Sequence, residues 1–165
     1  MAGLIVGIDP GVSGAIALLD GRRVMSVIDM PVLAAEGAKS RRILDAARIV
    51  RLFRRLVATA GGKEITAVLE EVRSMPRDGH VGAFAFGRSY GVLETALAAA
   101  GMPYQTVRPA VWKRAMGVTA DKDQARAMAS RLLPSGSGLW PLKKHDGRAE
   151  AALLALYGSK ERNGE

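Results

Sequence analysis

The stretch that most constrains this chain is Gly3–Gly14, an apolar β-rich run that stops at a carboxylate. Leu4, Ile5, Val6 and Ile8 read as a strand, Asp9 ends it, and Pro10 and Gly11 force a turn before a second apolar run, Ala15–Leu19. A carboxylate at the end of a buried strand is costly unless something cationic meets it. What Asp9 faces is therefore the functional question.

Asp20-Gly21 separates Gly14–Leu19 from a third β-like run, Arg23–Met30, and Asp-Gly predicts a tight type I′ hairpin turn. Three consecutive antiparallel strands follow from this pattern. Pro31–Gly37 reads as a loop and Ser40–Ala60 as a helix. Ile43, Ala46, Ala47, Val50, Phe53 and Val57 form its apolar face, with Arg41, Arg48, Arg51 and Arg55 as a solvated basic stripe on another side. Gly61-Gly62 ends it.

Ile65–Val72 is then a strand that is apolar until Glu70 and Glu71. Because a helix precedes it, it is expected to run parallel to the first strand. Both strands then end in acid at one edge, where open α/β sheets collect ligands. Alternation puts Glu70 and Glu71 on opposite faces without saying which faces the site.

Beyond a polar loop, Ser74–Gly79, a long helix is predicted over His80–Ala100. Its Gly82, Gly87 and Gly91 permit close approach of another helix, within the chain or in a second copy. A fifth strand (Pro103–Val107), a short helix (Pro109–Met116) and a helix over Asp121–Leu133, capped by Thr119, come next. After a Ser/Gly loop at Pro134–Leu139, Lys143-Lys144-His145-Asp146 leads into a last helix running through Tyr157. The expectation is one domain over residues 1–158 with a polar tail at 159–165.

In the last helix Asp146 and Glu150 are four apart and share a face. An acid at a helix start is favoured by the dipole alone. Glu150 is more pointed, because Ala149 and Ala151–Ala155 make its surroundings apolar nearly all round. If the three acidic loci converge, divalent cations would offset their repulsion. All-oxygen donors suit Mg²⁺, with Mn²⁺ as a substitute, rather than Zn²⁺. Two such ions could clamp a phosphodiester, one activating water and the other stabilising the leaving oxygen.

Composition supports a polyanionic partner. The 165 residues carry 24 Lys and Arg against 16 acids, a net charge of +8, and no cysteine, which excludes disulfides and thiolate metal sites. With 48% hydrophobic and 24% charged residues the chain is globular. The first strand is broken by Asp9 and Pro10 and lacks a basic leader, so neither a signal peptide nor a membrane span is expected. The expected setting is the cytoplasm of a bacterial or phage-infected cell.

Taken together, Ile8–Gly14, Val68–Val72, Phe86–Val92, Val111–Gly117 and Asp146–Ala155 resemble, in order and approximate spacing, the RuvC-type Holliday-junction resolvases over nearly the whole chain. The resemblance implies an RNase H-like α/β fold, with a five-stranded mixed sheet of three antiparallel and two parallel strands flanked by helices. It implies a homodimeric, Mg²⁺-dependent endonuclease acting on four-way or branched DNA, with Asp9, Glu70, Asp146 and Glu150 as metal-binding catalytic acids. Glu71 falls in the non-ligand slot. Lys113 and Lys122 match lysines used in DNA handling or catalysis, and Lys122 would stabilise charge on the scissile phosphate. Arg73, Arg77, Lys143 and Lys144 join them as expected DNA contacts.

Two departures stand out. The family spaces its final acids three apart and ends with Asp, whereas here the gap is four and the second is Glu; His145 is the alternative to Asp146 as fourth ligand. Where several members carry a base-stacking aromatic after the fourth strand, this chain has Arg73. The rival readings are an RNase H-like nuclease acting on RNA or RNA/DNA hybrids, and a catalytically dead junction-binding module. A sugar-kinase or actin-like ATPase, which shares a Gly-Ile-Asp opening, needs a second lobe that 165 residues cannot supply.

Overall fold

The structure, a computed structural model, describes residues 3–37, 41–73, 75–119 and 121–164, and of residues 76 and 122 the backbone alone. A five-stranded mixed sheet in the order β3-β2-β1-β6-β7 is its centre. Strands β1 (Leu4–Asp9), β2 (Ala15–Asp20) and β3 (Arg23–Asp29) form an antiparallel meander. Strand β6 (Ile65–Glu70) lies parallel to β1, and β7 (Tyr104–Val107) parallel to β6, as the sequence predicts.

Both faces of β1 are covered, which is why it reads as an unbroken apolar run. Leu4, Val6 and Ile8 pack with Ile49 and Phe53 of helix α1 (Ala46–Ala58) and Leu93 and Leu97 of helix α2 (Gly79–Ala99). Ile5 faces the other way with Val68 of β6, into a core built by helix α5 (Asp146–Asn163) and by Trp112 of helix α3 (Pro109–Ala115).

Three glycines seat α5 on the sheet. A methyl at Gly7 would lie 2.0 Å from the Ala151 carbonyl oxygen, and one at Gly158 would lie 2.4 Å from Val68 Cγ2. A methyl at Gly147 would come within 2.7 Å of the Ser13 carbonyl oxygen and 2.9 Å of Asp9 Oδ2. Only a bare backbone permits such approach.

Several local expectations are corrected. The Pro31–Gly37 loop and the start of the 40–60 helix contain instead a small hairpin, β4 (Val32–Ala34) with β5 (Arg42–Leu44); Ser40 lies outside the described residues. The helix begins only after Asp45, whose carboxylate accepts the Arg48 amide at 2.9 Å. Its buried face is Ile49, Phe53 and Leu56, and Ala46 and Ala47 are exposed. The larger side chains of the helix win the core. Arg48, Arg51 and Arg55 are exposed as expected and rim a groove floored by Ile28, Pro31 and Leu52.

At the β2–β3 hairpin only Gly21 has positive φ (58°), and Arg22, the second loop residue, does not. That excludes type I′, which needs both, and fits the glycine-first pattern of type II′. Helix α4 (Lys122–Leu132) is capped by Asp121, which accepts the Asp123 amide at 2.9 Å, rather than by Thr119. Pro76–Asp78 and Pro134–Leu139 are 3₁₀ turns rather than plain loops, with Ser74 outside the described residues.

Helix α5 does not stop at Tyr157 but continues to Asn163, with Gly158 and Ser159 buried and Arg162 donating to the Gly3 carbonyl at 2.8 Å. Most of the expected tail is therefore structural; Glu165 lies outside the described residues. Among the described residues no helix is long and apolar enough to cross a membrane.

Candidate active site

Asp9 occupies β1 position 9, on the same face as Ile5 and Gly7, because strand side chains alternate. That face belongs to α5. In β6, Val68 packs on this same core, so Glu70, two residues on, shares its side and Glu71 takes the opposite one. The parallel register pairs Ile8 with Leu69, and Asp9 and Glu70 extend it by one step at the carboxyl edge. Helix α5 starts there, bringing Asp146 and Glu150 on its first turns.

The electrostatics show that these acids share one neighbourhood. Asp9 is pushed well above the usual carboxylate range, first by burial and then by the negative charges of Glu150, Glu70 and Asp146, in that order; Lys113 opposes the shift. Glu70 is also raised, mainly by burial, with Glu150 adding to the rise. The Trp112 indole and the Lys113 ammonium pull it back.

Two residues of α3 hold the carboxylates. Trp112 Nε1 donates to Glu70 Oε2 at 2.6 Å, and Lys113 Nζ donates to Glu150 Oε1 at 2.9 Å. The ammonium also lies 5.3 Å from the Trp112 ring centroid, within cation–π range. Lys113 is thus placed in the acidic cluster rather than on an outer surface. Trp112 is a functional candidate that sequence reasoning left without a role. Its signal was a tryptophan next to Lys113 on a proline-started helix, since a buried indole N–H needs an acceptor.

The remaining candidates lie in the segments that follow β6, open α4 at Lys122 and precede α5. Glu71 is bonded to Arg73 Nε at 2.7 Å, with Arg73 largely exposed. Arg77 is exposed, as are Lys143 and Lys144 in the 3₁₀ turn before α5. Lys122 opens α4, but its side chain lies outside the described residues. His145 Nδ1 accepts the Leu142 amide at 3.2 Å, so one ring nitrogen is used to shape the entry into α5. Arg148 donates to both carboxylate oxygens of Asp29 at 2.7 Å and to the Leu139 carbonyl at 3.0 Å, which ties the start of α5 to the end of β3.

Among the described residues, no group of three or more His, Asp or Glu side chains is arranged as a ready metal-binding set. The chemistry of the donors nevertheless fits a hard divalent cation. They are oxygen only, drawn from three elements, and repel one another around the half-buried Asp9, with the Lys113 ammonium set against them.

No protein-family model and no curated protein sequence matches the chain. Solved structures do. Thermus thermophilus RuvC in complex with a Holliday junction substrate superposes with a TM-score of 0.68 at 21% identity, covering 98% of this chain and 96% of that one. A further Thermus thermophilus RuvC structure gives a TM-score of 0.57 at 20% identity with the same coverage. The yeast mitochondrial Holliday junction resolvase Ydc2 gives 0.61 at 15% identity, covering 98% of this chain and 80% of that one. The chain has the RNase H-like fold of the RuvC-type resolvases over nearly its whole length.

Proposed function

We propose that the chain is a divalent-metal-dependent endonuclease that nicks four-way DNA junctions as a homodimer. The observation that carries this reading is the gathering of Glu70, Glu150 and Asp146 around Asp9 at the carboxyl edge of the sheet. Its support from comparison is a resolvase fold matched end to end, including a RuvC bound to a Holliday junction.

In this reading Asp9, Glu70, Glu150 and Asp146 hold Mg²⁺, with His145 as the alternative to Asp146. When bound, two such ions supply an activated water and a counter-charge for the leaving oxygen. The protein's own contributions are distinct. Trp112 and Lys113 fix carboxylate oxygens, and the desolvated surroundings of the Asp9 carboxyl strengthen the action of each charge. Lys113, with its ammonium inside the cluster, is placed to stabilise negative charge developing on a phosphate. Lys122 serves the same end from the start of α4. Arg73, Arg77, Lys143 and Lys144 hold the backbone through charge.

The dimer rests on symmetry and on α2. A junction offers two equivalent strands to two equivalent sites. Val81, Phe84 and Phe86 of α2 are 65%, 75% and 44% exposed, and a methyl at Gly87 or Gly91 would meet nothing. Gly87 and Gly91 are therefore not used for packing inside the chain, and with the exposed apolar side chains they leave a face that a second copy would cover.

The test is cleavage of an immobile four-way junction with Mg²⁺, with an RNA/DNA hybrid duplex alongside. The expected result is paired nicks in the junction by wild type, and binding without cutting by Asp9→Asn and Glu70→Gln. Normal cutting by either variant removes the site assignment. Preference for the hybrid removes the junction assignment and installs the RNA-directed reading.

A further inference from the structure

We infer that Trp112 is the positioning residue for Glu70: its indole N–H holds one carboxylate oxygen so that the other is presented to the metal. This rests on the metal-dependent reading above and goes beyond it, since none of the expected site residues included Trp112.

The geometry is selective. Trp112 is fully buried, so its N–H has no water to donate to, and Glu70 Oε2 is its partner at 2.6 Å across 42 positions of chain. A hydrogen bond from a neutral buried donor to a carboxylate is short and strong because the acceptor is charged. The Trp112 bond anchors the far end of a side chain that has three rotatable bonds at the sheet edge.

The indole is itself locked. Its ring is packed in the α5-side core, and Pro109 fixes the start of the short helix that carries it. The neighbouring Lys113 is bonded to Glu150. One turn of α3 therefore orients an acid from β6 and an acid from α5 together. Outer partners of metal-binding carboxylates of this kind set affinity by holding the ligand in place.

The experiment compares wild type with Trp112→Phe, which keeps an aromatic ring in the core and deletes only the donor. Mn²⁺ alone is titrated into DNA-free protein by calorimetry, with thermal melts as the fold control. The expected result is Mn²⁺ affinity weaker by about 10- to 100-fold in a variant that still melts cooperatively. A second readout is tryptophan emission. Mn²⁺ should change it in wild type, and that change should vanish in Trp112→Phe, where Trp140 remains. Equal Mn²⁺ affinity in a folded variant, or an emission change that persists there, overturns the inference while leaving the metal-dependent reading intact. Absence of Mn²⁺ binding in wild type overturns both.

Discussion

Lys113 Nζ donates to Glu150 Oε1 at 2.9 Å although 37 positions separate them, and both side chains are largely withdrawn from solvent. The ammonium acts on both Asp9 and Glu70, so it offsets repulsion that the acids would otherwise impose on the fold. Lys113→Met should destabilise the metal-free protein by about 1–3 kcal/mol, the scale of a lost hydrogen bond to a charged group. Mg²⁺ should restore part of that loss by supplying positive charge to the same carboxylates. Thermal melts with and without Mg²⁺ check this, and nicking should fall on the order of 10²-fold. A variant whose melt ignores Mg²⁺ would contradict the shared role.

Asp9→Asn should separate stability from activity. The folded-state pKa of Asp9 lies above its unfolded value, so ionisation is easier in the unfolded chain. Stability of the metal-free protein therefore falls as pH rises from the ordinary carboxylate range toward the raised folded value. The Asn variant lacks that loss. It should be more stable than wild type by about 1 kcal/mol near neutral pH, in line with relief of a destabilised active site, and should not cut junctions. Denaturant titrations at acidic and neutral pH measure the first claim. A neutral-pH Asn variant less stable than wild type would oppose it.

The part of this site legible in the sequence is the part set by local chemistry. Asp9 is visible because it interrupts an apolar run just before Pro10-Gly11, and Glu150 because it interrupts the alanines and leucines of α5. The mixed sheet follows from the same runs. What stayed hidden depends on tertiary neighbours. Strand alternation alone leaves Glu70 and Glu71 open and only the family resemblance favours Glu70 in the sequence, because the face of β6 that carries Val68 is set by the packed core. Trp112 looks like any core aromatic until its acceptor, 42 residues away, is known. The β4–β5 hairpin escaped because Ile43 continues the period of the helix after it, and three-residue strands carry no period of their own. The last turns of α5 escaped because Gly158 reads as a helix stop, whereas it is the spot where Val68 leaves no room for a side chain.

That close approach makes the glycines of the α5 contact a sensitive test of how the site is built. A methyl at Gly7 would stand 2.0 Å from the Ala151 carbonyl oxygen and 2.5 Å from the Ala155 nitrogen, both backbone atoms of one helix. No rotamer change relieves it, so α5 must move off β1. Gly7→Ala should cost about 3 kcal/mol or more, at or beyond the upper end of overpacking penalties, and should reduce nicking because Glu150 and Asp146 move with the helix. Gly138→Ala in the Pro134–Leu139 turn, where a methyl meets nothing, is the control and should hold or slightly raise the melting temperature. Equal melts for the two variants would show that α5 is not held as closely as described.

The Asp29–Arg148 pair gives a separate handle on the same helix. Arg148 bonds both oxygens of Asp29 at 2.7 Å and lies between Asp146 and Glu150, so it anchors the turn that carries them to the edge strand β3. The hydrogen bond from Arg148 is the main reason that Asp29 is held below the usual carboxylate range. With a folded pKa below the unfolded one, the pair's stabilisation is present above the ordinary carboxylate range and is lost as pH falls through the folded value. Asp29 is 65% exposed, so the amount is modest, about 0.5–1 kcal/mol even for two parallel bonds. Asp29→Asn should therefore lower stability near neutral pH by that amount and converge with wild type in acid. Raised salt should shrink the difference, since exposed pairs are screened. If the α5 start is truly tethered here, Asp29→Asn should also need more Mg²⁺ for half-maximal nicking than wild type, although Asp29 itself lies outside the set of proposed ligands. An unchanged Mg²⁺ requirement would confine the pair to stability alone.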